Sequence, residues 1–565
     1  MKNIAHVILA SLLQLLAYSA FAQAPNWSAA RIVVAFPNRA SATYDPTVSA
    51  TAADAFGNVY MAGQFAGTVT IGSTTITSVG IIDAFVAKFN PATNQFVWIK
   101  TAGEAGGTTF PSALAVSGTN VYVAGDFGTT TSFDGINLIS AGYDDVFVAK
   151  LVDAGSTASF VWVQRAGGTG RDYANSLSVA GMGVYIAGSF ADNSNFTASF
   201  GSFTLNSAGQ NDAYVAKLVD AGASASFAWA KQMGGANGDA ASSVWVSGTN
   251  VYVAGSFSSI SVGFGSTTLV NAGANDVFVA KLTDAGNVGN FLWAQRAGDA
   301  SNDYAYAMVV NGTSVYVAGS FSGLQSRFGS TSLTARGGPN VFVTKLIDAG
   351  SSGAFAWAQS CGSNSWAEGF ALAVSGANVY VAGTFDSNFP GATFGNSTLV
   401  STSTDAFVAK LVDAGSTGSF VWGQRAGGAS VDRANAVTLS GPNVYVAGDF
   451  VSNTISFGSI TLTNPVTNYY AGFLASLTDP TLTATMAAIP REPASLFPNP
   501  ARRTATLRLP AGTAPAPLTL TDGVGRTVRS FPAPTGVEAT LDLRGLSAGL
   551  YLLRGAGPAR RLVIE

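Results

Sequence analysis

Asn120-Val121-Tyr122-Val123-Ala124-Gly125, followed by Asp145-Val146-Phe147-Val148-Ala149-Lys150, is the stretch from which the architecture is read. Both runs are β-branched and aromatic and are bounded by Asn, Gly or Asp, the composition of short strands. The first motif, Val-Tyr-x-Ala-Gly, recurs with its tyrosines at Tyr60, Tyr122, Tyr185, Tyr252, Tyr316, Tyr380 and Tyr445, at spacings of 62 to 67 residues. The second, close to Phe-Val-Ala-Lys-Leu, begins at Phe85, Phe147, Tyr214, Phe278, Phe342, Phe407 and Phe473. A third, aromatic-x-Trp, places tryptophans at Trp98, Trp162, Trp229, Trp293, Trp357 and Trp422. One more apolar run precedes each Val-Tyr motif, as at residues 177–179 and 372–374. The repeat thus has four strands, here named A (the apolar run), B (Val-Tyr), C (Phe-Val-Ala-Lys) and D (Trp). Asp-Ala-Gly at 153–155, 220–222, 284–286, 348–350 and 413–415 supplies the C–D turn.

A radial repeat of four-stranded antiparallel units is a β-propeller. Each unit is sandwiched between two others, which explains why strand B is apolar throughout rather than alternating. There are seven B strands and seven C strands, but no tryptophan strand follows Phe473, and the spacing places alanine at 488. Trp27, ahead of the first A strand, reads as the missing seventh tryptophan. The expectation is an all-β chain: a seven-bladed propeller of four-stranded blades, closed by an N-terminal strand, over residues 23–478. The repeats resemble the bacterial seven-bladed β-propeller repeat family in Gly-Asn-Val-Tyr-Met-Ala-Gly at 57–63, Asp-Ala-Phe-Val-Ala-Lys at 83–88 and Asp-Val-Phe-Val-Ala-Lys at 276–281. That resemblance spans about residues 25–478 and implies a propeller at or outside the cell surface, without implying one activity.

The two ends carry export signals. Lys2, a largely apolar run over 8–16 and Ala20-Phe21-Ala22 read as a secretory signal peptide over residues 1–22. No later stretch offers the roughly 20 apolar residues of a membrane-spanning helix. Residues 479–493 read as a linker. From residue 492 onward nine arginines stand against five acids, a shift in composition that marks a new domain over 494–565. Short alternating runs at 506–509, 517–520 and 539–543 predict a small β-sandwich. This segment resembles the C-terminal sorting domain of the type IX secretion system in Pro498, Asn499 and Pro500, in Gly525 and Val528, and in Leu546, Gly549, Tyr551 and Leu553. The resemblance implies the type IX machinery as partner and delivery to the outer-membrane surface or the medium.

Rare residues limit the chemistry. The single histidine, His6, lies in the signal peptide, and the single cysteine is Cys361. A His-dependent triad, a Cys-His pair and any His- or Cys-rich zinc site are therefore excluded from the mature chain, as is an internal disulfide. Cys361 stands where other repeats carry Ala166, Ala297 and Ala426, so it reads as a small buried filler. A formal net charge of −3 gives no basic surface for nucleic acid.

Two recurrent charged positions read as parts of the blade. Lys88, Lys150, Lys217, Lys281, Lys345 and Lys410 are expected to pair across or within blades with Asp83, Asp145, Asp212, Asp276 and Asp405, which precede strand C. Asp172, Asp239, Asp303 and Asp432, at the entry to strand A, are calcium candidates or turn residues that accept backbone N–H bonds. No other cofactor is indicated. The B–C connections, as at 191–200 and 386–394, vary most in length and lie on the same face as the D–A turns, which makes them the expected ligand-binding loops. The reading is a non-enzymatic secreted or surface binding and adhesion protein, for polysaccharide or a surface protein. Two alternatives stand beside it: a polysaccharide-acting enzyme using paired carboxylates, and a structural envelope or matrix component.

Overall fold

The computed structural model describes residues 24–37, 44–191, 197–362, 364–386, 391–482, 495–497, 499–508, 517–522, 526–534, 538–555 and 557–565. The expected signal peptide, most of the linker, Pro498 and Gly525 lie outside these residues. The chain divides into two compact units, Met1–Ala484 and Thr485–Glu565. Among the described residues every regular element is a β-strand.

In the first unit, strands A to D pair in order within antiparallel sheets. Sheet one runs Thr47–Ala53, Val59–Phe65, Asp83–Asn90, Gln95–Ala102. Sheet four runs Asp239–Ser247, Asn250–Phe257, Asp276–Asp284, Gly289–Ala297, and five of the other sheets repeat the pattern from Thr108, Tyr173, Asp303, Trp366 and Asp432. The last of these combines Asp432–Ser440, Asn443–Phe450 and Ala471–Thr478 with the N-terminal strand Trp27–Ala35 as its D strand. Each A strand packs on the A strand of the next sheet, and Asp432–Ser440 packs on Thr47–Ala53, so the series of contacts returns to its start.

The register corrects one sequence assignment. In other sheets the lysine of strand C faces the tryptophan of strand D, as Lys410 faces Trp422, while Leu411 faces Phe420 across a bulge. In the sheet that holds the N-terminal strand, Ser476 faces Ala29 and Leu477 faces Trp27. Trp27 thus occupies the place of Phe420, and alanine stands where the seventh tryptophan was expected. The aromatic-x-Trp pattern counts tryptophans but does not say which aromatic of the pair each one is.

Adjacent sheets are joined by one repeated cluster. The lysine and the B-strand tyrosine of each sheet converge on the aspartate of the next sheet's C–D turn. Lys88, Lys150, Lys217, Lys281, Lys345 and Lys410 reach Asp153, Asp220, Asp284, Asp348, Asp413 and Asp479 at 2.5–2.8 Å. The matching tyrosine hydroxyls, from Tyr60 to Tyr380, donate to the same oxygens at 2.6–2.7 Å. Five indole N–H groups, from Trp98 to Trp357, donate to the other carboxylate oxygen at 3.0–3.1 Å. The lysines therefore pair with the turn aspartates of the next sheet and not with Asp83, Asp145, Asp212, Asp276 or Asp405. Burial alone would raise each turn carboxyl, but bonds outweigh it and hold all six below the ordinary carboxylate value: from Lys, Tyr, Gly N–H and Trp at the first five, and from Lys410, Thr481 and Tyr380 at Asp479.

The tryptophans complete the packing. Trp293 lies against Gly353, the first residue of the next D strand, where an added Cβ would come within 2.8 Å of the indole. Cys361 is buried facing Val341, in the register that alanine takes elsewhere, and burial pushes its thiol well above the ordinary value.

The B–C connections are not open loops. Each folds a hairpin toward the outer D strand of the preceding sheet, as Thr197–Phe200 pairs with Ala158–Gly168 and Thr454–Phe457 with Gly418–Gly427. A D strand left bare would present a row of unpaired backbone groups. Part of each B–C connection thus covers an edge, while residues 192–196 and 387–390, in two of the longer connections, lie outside the described set.

The second unit has two sheets. Ser495–Phe497, Thr504–Arg508 and Glu538–Asp542 form one; Thr527–Phe531, Leu518–Thr521, Gly549–Gly555 and Gly557–Ile564 form the other. They enclose Leu507, Leu520, Leu541, Leu553, Leu562 and Ile564. Asn499 ties the opening of the unit to its last strand by donating to the Arg561 carbonyl and accepting from the Val563 N–H, each at 2.9 Å. Tyr551 is buried and donates to the Ser547 carbonyl at 2.7 Å. Leu553 is buried, Leu546 packs against the core, and Val528 is exposed.

Because Lys281 and Asp348 are both buried, removing one partner strands the other. Lys281→Ala is expected to destabilise the full chain by about 3–5 kcal/mol in a denaturant titration, whereas Lys100→Ala, at a half-exposed ion pair with Asp134, costs under about 1 kcal/mol.

Candidate functional site

Neighbouring A strands belong to different sheets, so their inner edges need other partners. Each A strand carries a bulge at one register, and the bulged residue is Ser49, Ser112, Asn175, Ser242, Tyr306, Phe370 or Asn435 in successive sheets. A bulge re-aims its side chain. Three of these residues bond the next A strand: Ser49 the Pro111 carbonyl, Asn175 that of Ala241 and Asn435 that of Val48. Further along, Ser176 and Ser178 accept the N–H groups of Val244 and Val246.

The pattern breaks at Tyr306 and Phe370. Tyr306 is too long to serve a neighbouring carbonyl and instead donates to Glu368 Oε1 at 2.9 Å. Tyr304 stacks on Tyr306 at 6.2 Å, and Phe370 meets Tyr306 edge-on at 5.4 Å. Glu368 occupies the position held elsewhere by Thr47, Phe110, Tyr173, Ala240, Tyr304 and Arg433, as their B-strand partners show. Burial raises the Glu368 carboxyl, against hydrogen bonds from Tyr306, Ser320 and Trp366 and the charge of Arg433. The Tyr306 phenol is raised, chiefly by burial and further by the charge of Glu368. Arg433 is exposed and lies 5.6 Å from the Tyr470 ring centroid. Its strand partner Asp449 is buried, bonded by Asn435, and pushed up to about 6 by burial.

Two tyrosines, a phenylalanine, a tryptophan, a carboxyl and an exposed guanidinium are thus gathered around a bulge register that other sheets fill with Ser or Asn. Such a set offers apolar ring faces together with donors and acceptors for a polar ligand. Sequence reading passed over these residues because it weighed recurrent positions. The available signal was the reverse: Tyr306 and Phe370 interrupt a run of Ser and Asn at one register.

The four calcium candidates sit three residues before the bulge, one before the register that Glu368 holds. Asp172, Asp239, Asp303 and Asp432 are buried and accept backbone N–H groups: Asp172 from Gly168 and Ala191, Asp239 from Gly235, Ser258 and Ser259, Asp303 from Asp299, and Asp432 from Gly428. Each faces the aspartate that opens strand C of the preceding sheet. At Gly298 an added Cβ would lie 2.2 Å from Asp276 Oδ1 and 2.8 Å from Asp303 Oδ2, so the two carboxyls close on a glycine. Burial pushes Asp172 and Asp303 up to about 6 and Asp432 to about 7, with neighbouring carboxylates adding to the rise. Calcium takes six to eight oxygens. Among the described residues no group of three or more acidic, His or Cys side chains is placed to hold a metal. The aspartates that open strand C take other cations or amides: Arg165 bonds Asp145, Arg296 bonds Asp276 at 2.6 Å, Arg425 bonds Asp405, and Gln232 bonds Asp212 at 2.6 Å.

Comparison with known proteins places the second unit. Residues 495–562 match the family described as the secretion system C-terminal sorting domain. This segment is a type IX sorting domain. It indicates export by the type IX system, interaction with that machinery, and a surface or extracellular location. No propeller-repeat family model matches the repeats, and no curated protein matches the chain. Among solved structures, the chain is similar to a protein from Lactobacillus plantarum at 13% identity and TM-score 0.35, covering 70% of this chain and 96% of that one. It is also similar to a Trypanosoma rangeli sialidase in complex with the inhibitor DANA, at 11% identity and TM-score 0.31, covering 80% and 79%. A third is glycoside hydrolase family 32 from Bifidobacterium adolescentis, at 8% identity and TM-score 0.25, covering 80% of each. Because a sialidase and a glycoside hydrolase stand among these structures, the expectation that the chain is not an enzyme is corrected; likenesses this distant do not say which reaction, if any, it performs.

The two sets of aspartates give opposite pH dependences. The turn aspartates, held below 3.8, contribute stability above that value and lose it as pH falls through the ordinary carboxylate range. The carboxyls raised to about 6 or 7 bind more protons folded than unfolded, so stability falls as pH rises from about 4 toward 7. The melting temperature of the full chain is expected to peak between about pH 4 and 5. A steady rise from pH 4 to 7.5 would show that the paired carboxyls are ionised and compensated.

Proposed function

We propose that residues 23–478 form a seven-bladed β-propeller closed by the N-terminal strand, and that this propeller binds carbohydrate at the Tyr304, Tyr306, Glu368 and Arg433 cluster. In this reading signal peptide 1–22 is removed on export, residues 479–493 are the linker and 494–565 are the sorting domain. The cyclic packing of the A strands and the pairing of Trp27–Ala35 into the sheet with Ala471–Thr478 support the closed ring. The observation that carries the ligand reading is the stacked Tyr304–Tyr306 pair with Tyr306 bonded to Glu368, set in a register that is otherwise Ser, Asn and other residues without this grouping. Ring faces pack against the C–H face of a sugar, while the carboxyl and guanidinium bond hydroxyls. The type IX tail delivers the chain to where extracellular polysaccharide lies.

The full chain, screened against bacterial and plant polysaccharides, is expected to show saturable binding that Tyr304→Ala or Arg433→Ala weakens at least tenfold and Lys100→Ala leaves unchanged. No binding to any polysaccharide, or binding indifferent to both variants, would remove this reading. Reducing-sugar release, measured in parallel, separates hydrolysis from binding: release abolished by Glu368→Gln would make Glu368 the acid of a hydrolytic site. For export, Asn499→Ala breaks the bonds to Arg561 and Val563 and is expected to lower the amount of chain reaching the surface or medium in fractionation blots.

A further inference from the structure

One junction between sheets lacks the cluster that joins the others. Where the sheet of Asp432–Ser440 meets sheet one, Ser476 replaces lysine, Ala29 replaces tryptophan, and the C–D turn of sheet one, from Asn90 to Asn94, carries no carboxylate. Of the usual partners only the tyrosine, Tyr445, remains. The described residues leave a cavity of about 390 Å³ there, lined by Arg31, Asn443, Tyr445, Ser476, Phe56 and Phe89 among others. It lies by the A–B and C–D turns, at the strand ends opposite to Glu368.

Arg31 brings the charge that lysine supplies elsewhere. Its guanidinium lies 4.1 Å from the Phe89 ring centroid, and burial lowers its pKa. No acidic side chain lines the cavity. At six other junctions a carboxylate sits on a cation and a tyrosine hydroxyl, five of them with an indole bonded to its second oxygen. Here a cation and a tyrosine face the space of a missing carboxylate and a missing ring. The volume is that of a small-molecule site.

We propose that this junction binds a small molecule bearing a carboxylate on a ring, with the carboxylate on Arg31 and Tyr445 and the ring in the space above Ala29. Two sources share that chemistry, acidic sugars and aromatic acids, and the probes separate them. Galacturonate and glucuronate, their neutral counterparts galactose and glucose, and indole-3-carboxylate and indole are titrated calorimetrically into the full chain. At least one acid is expected to bind, with its neutral counterpart at least tenfold weaker. Arg31→Gln is expected to abolish binding, and Tyr445→Phe to weaken it about fivefold. Ala29→Trp, which restores the ring found at other junctions, is expected to block binding while keeping the melting temperature. Failure of every acid to bind, or binding that survives both Arg31→Gln and Ala29→Trp, overturns the proposal. So does a melting temperature that drops in Arg31→Gln without ligand while Ala29→Trp does not fold, because the chain itself would then fill the cavity. Tyr304→Ala leaves this binding intact, so its failure and that of the carbohydrate reading are distinguishable.

Discussion

The meeting of a lysine, a tyrosine and a tryptophan on one aspartate of the next sheet is the interaction on which the first unit depends. Each β-sheet here is buried on both faces, so hydrophobic burial holds the sheets together without fixing how far one slides on another. A buried carboxylate with a cation at 2.6 Å and two directed donors supplies that fix, because any shift strands a charge in a poorly polarisable interior. Repeated from sheet to sheet, it sets the spacing at the outer turns as the Ser and Asn bonds set it along the inner strands.

The same physics explains where departures collect. At Ser49, Asn175 and Asn435 the bulged side chain bonds a carbonyl of the next inner strand, and Tyr306 and Phe370 replace that small polar type at the same register. Tyr306 instead bonds Glu368, whose own carboxyl is raised by burial. An outer edge needs a cover, and the B–C hairpins provide it. The junction at Ala29 gives up a complete cluster and keeps only Tyr445, with Arg31 as its cation. These two places combine departures from the repeat with side chains that the repeat does not use elsewhere.

Much of this was legible in the chain. Strand type followed from β-branched and aromatic runs, strand order from the repeat, and the pairing of the two ends of the unit from a D strand missing after Phe473. The lysines and aspartates were legible as structural, but not which aspartate each lysine chose: Asp276 and Asp348 look equally suitable for Lys281 until neighbouring sheets are placed side by side. Trp27 was misread by one aromatic step because strand register is a pairing property, with no trace in the spacing of one strand.

The sequence by itself determined the all-β class, the repeat, the placing of the single histidine at position 6 and the type IX tail, because each of these rests on composition or on order along the chain. Only the tertiary structure decided that Tyr304, Tyr306, Glu368 and Arg433 come from neighbouring inner strands, that hairpins within the B–C connections pair with the preceding D strands, and that one junction holds an arginine where the others hold lysine and a turn carboxylate. Those depend on contacts between residues about 60 or more apart, and more than 400 apart for Arg31 and Tyr445, and distance along a chain carries no such information until the sheets are packed.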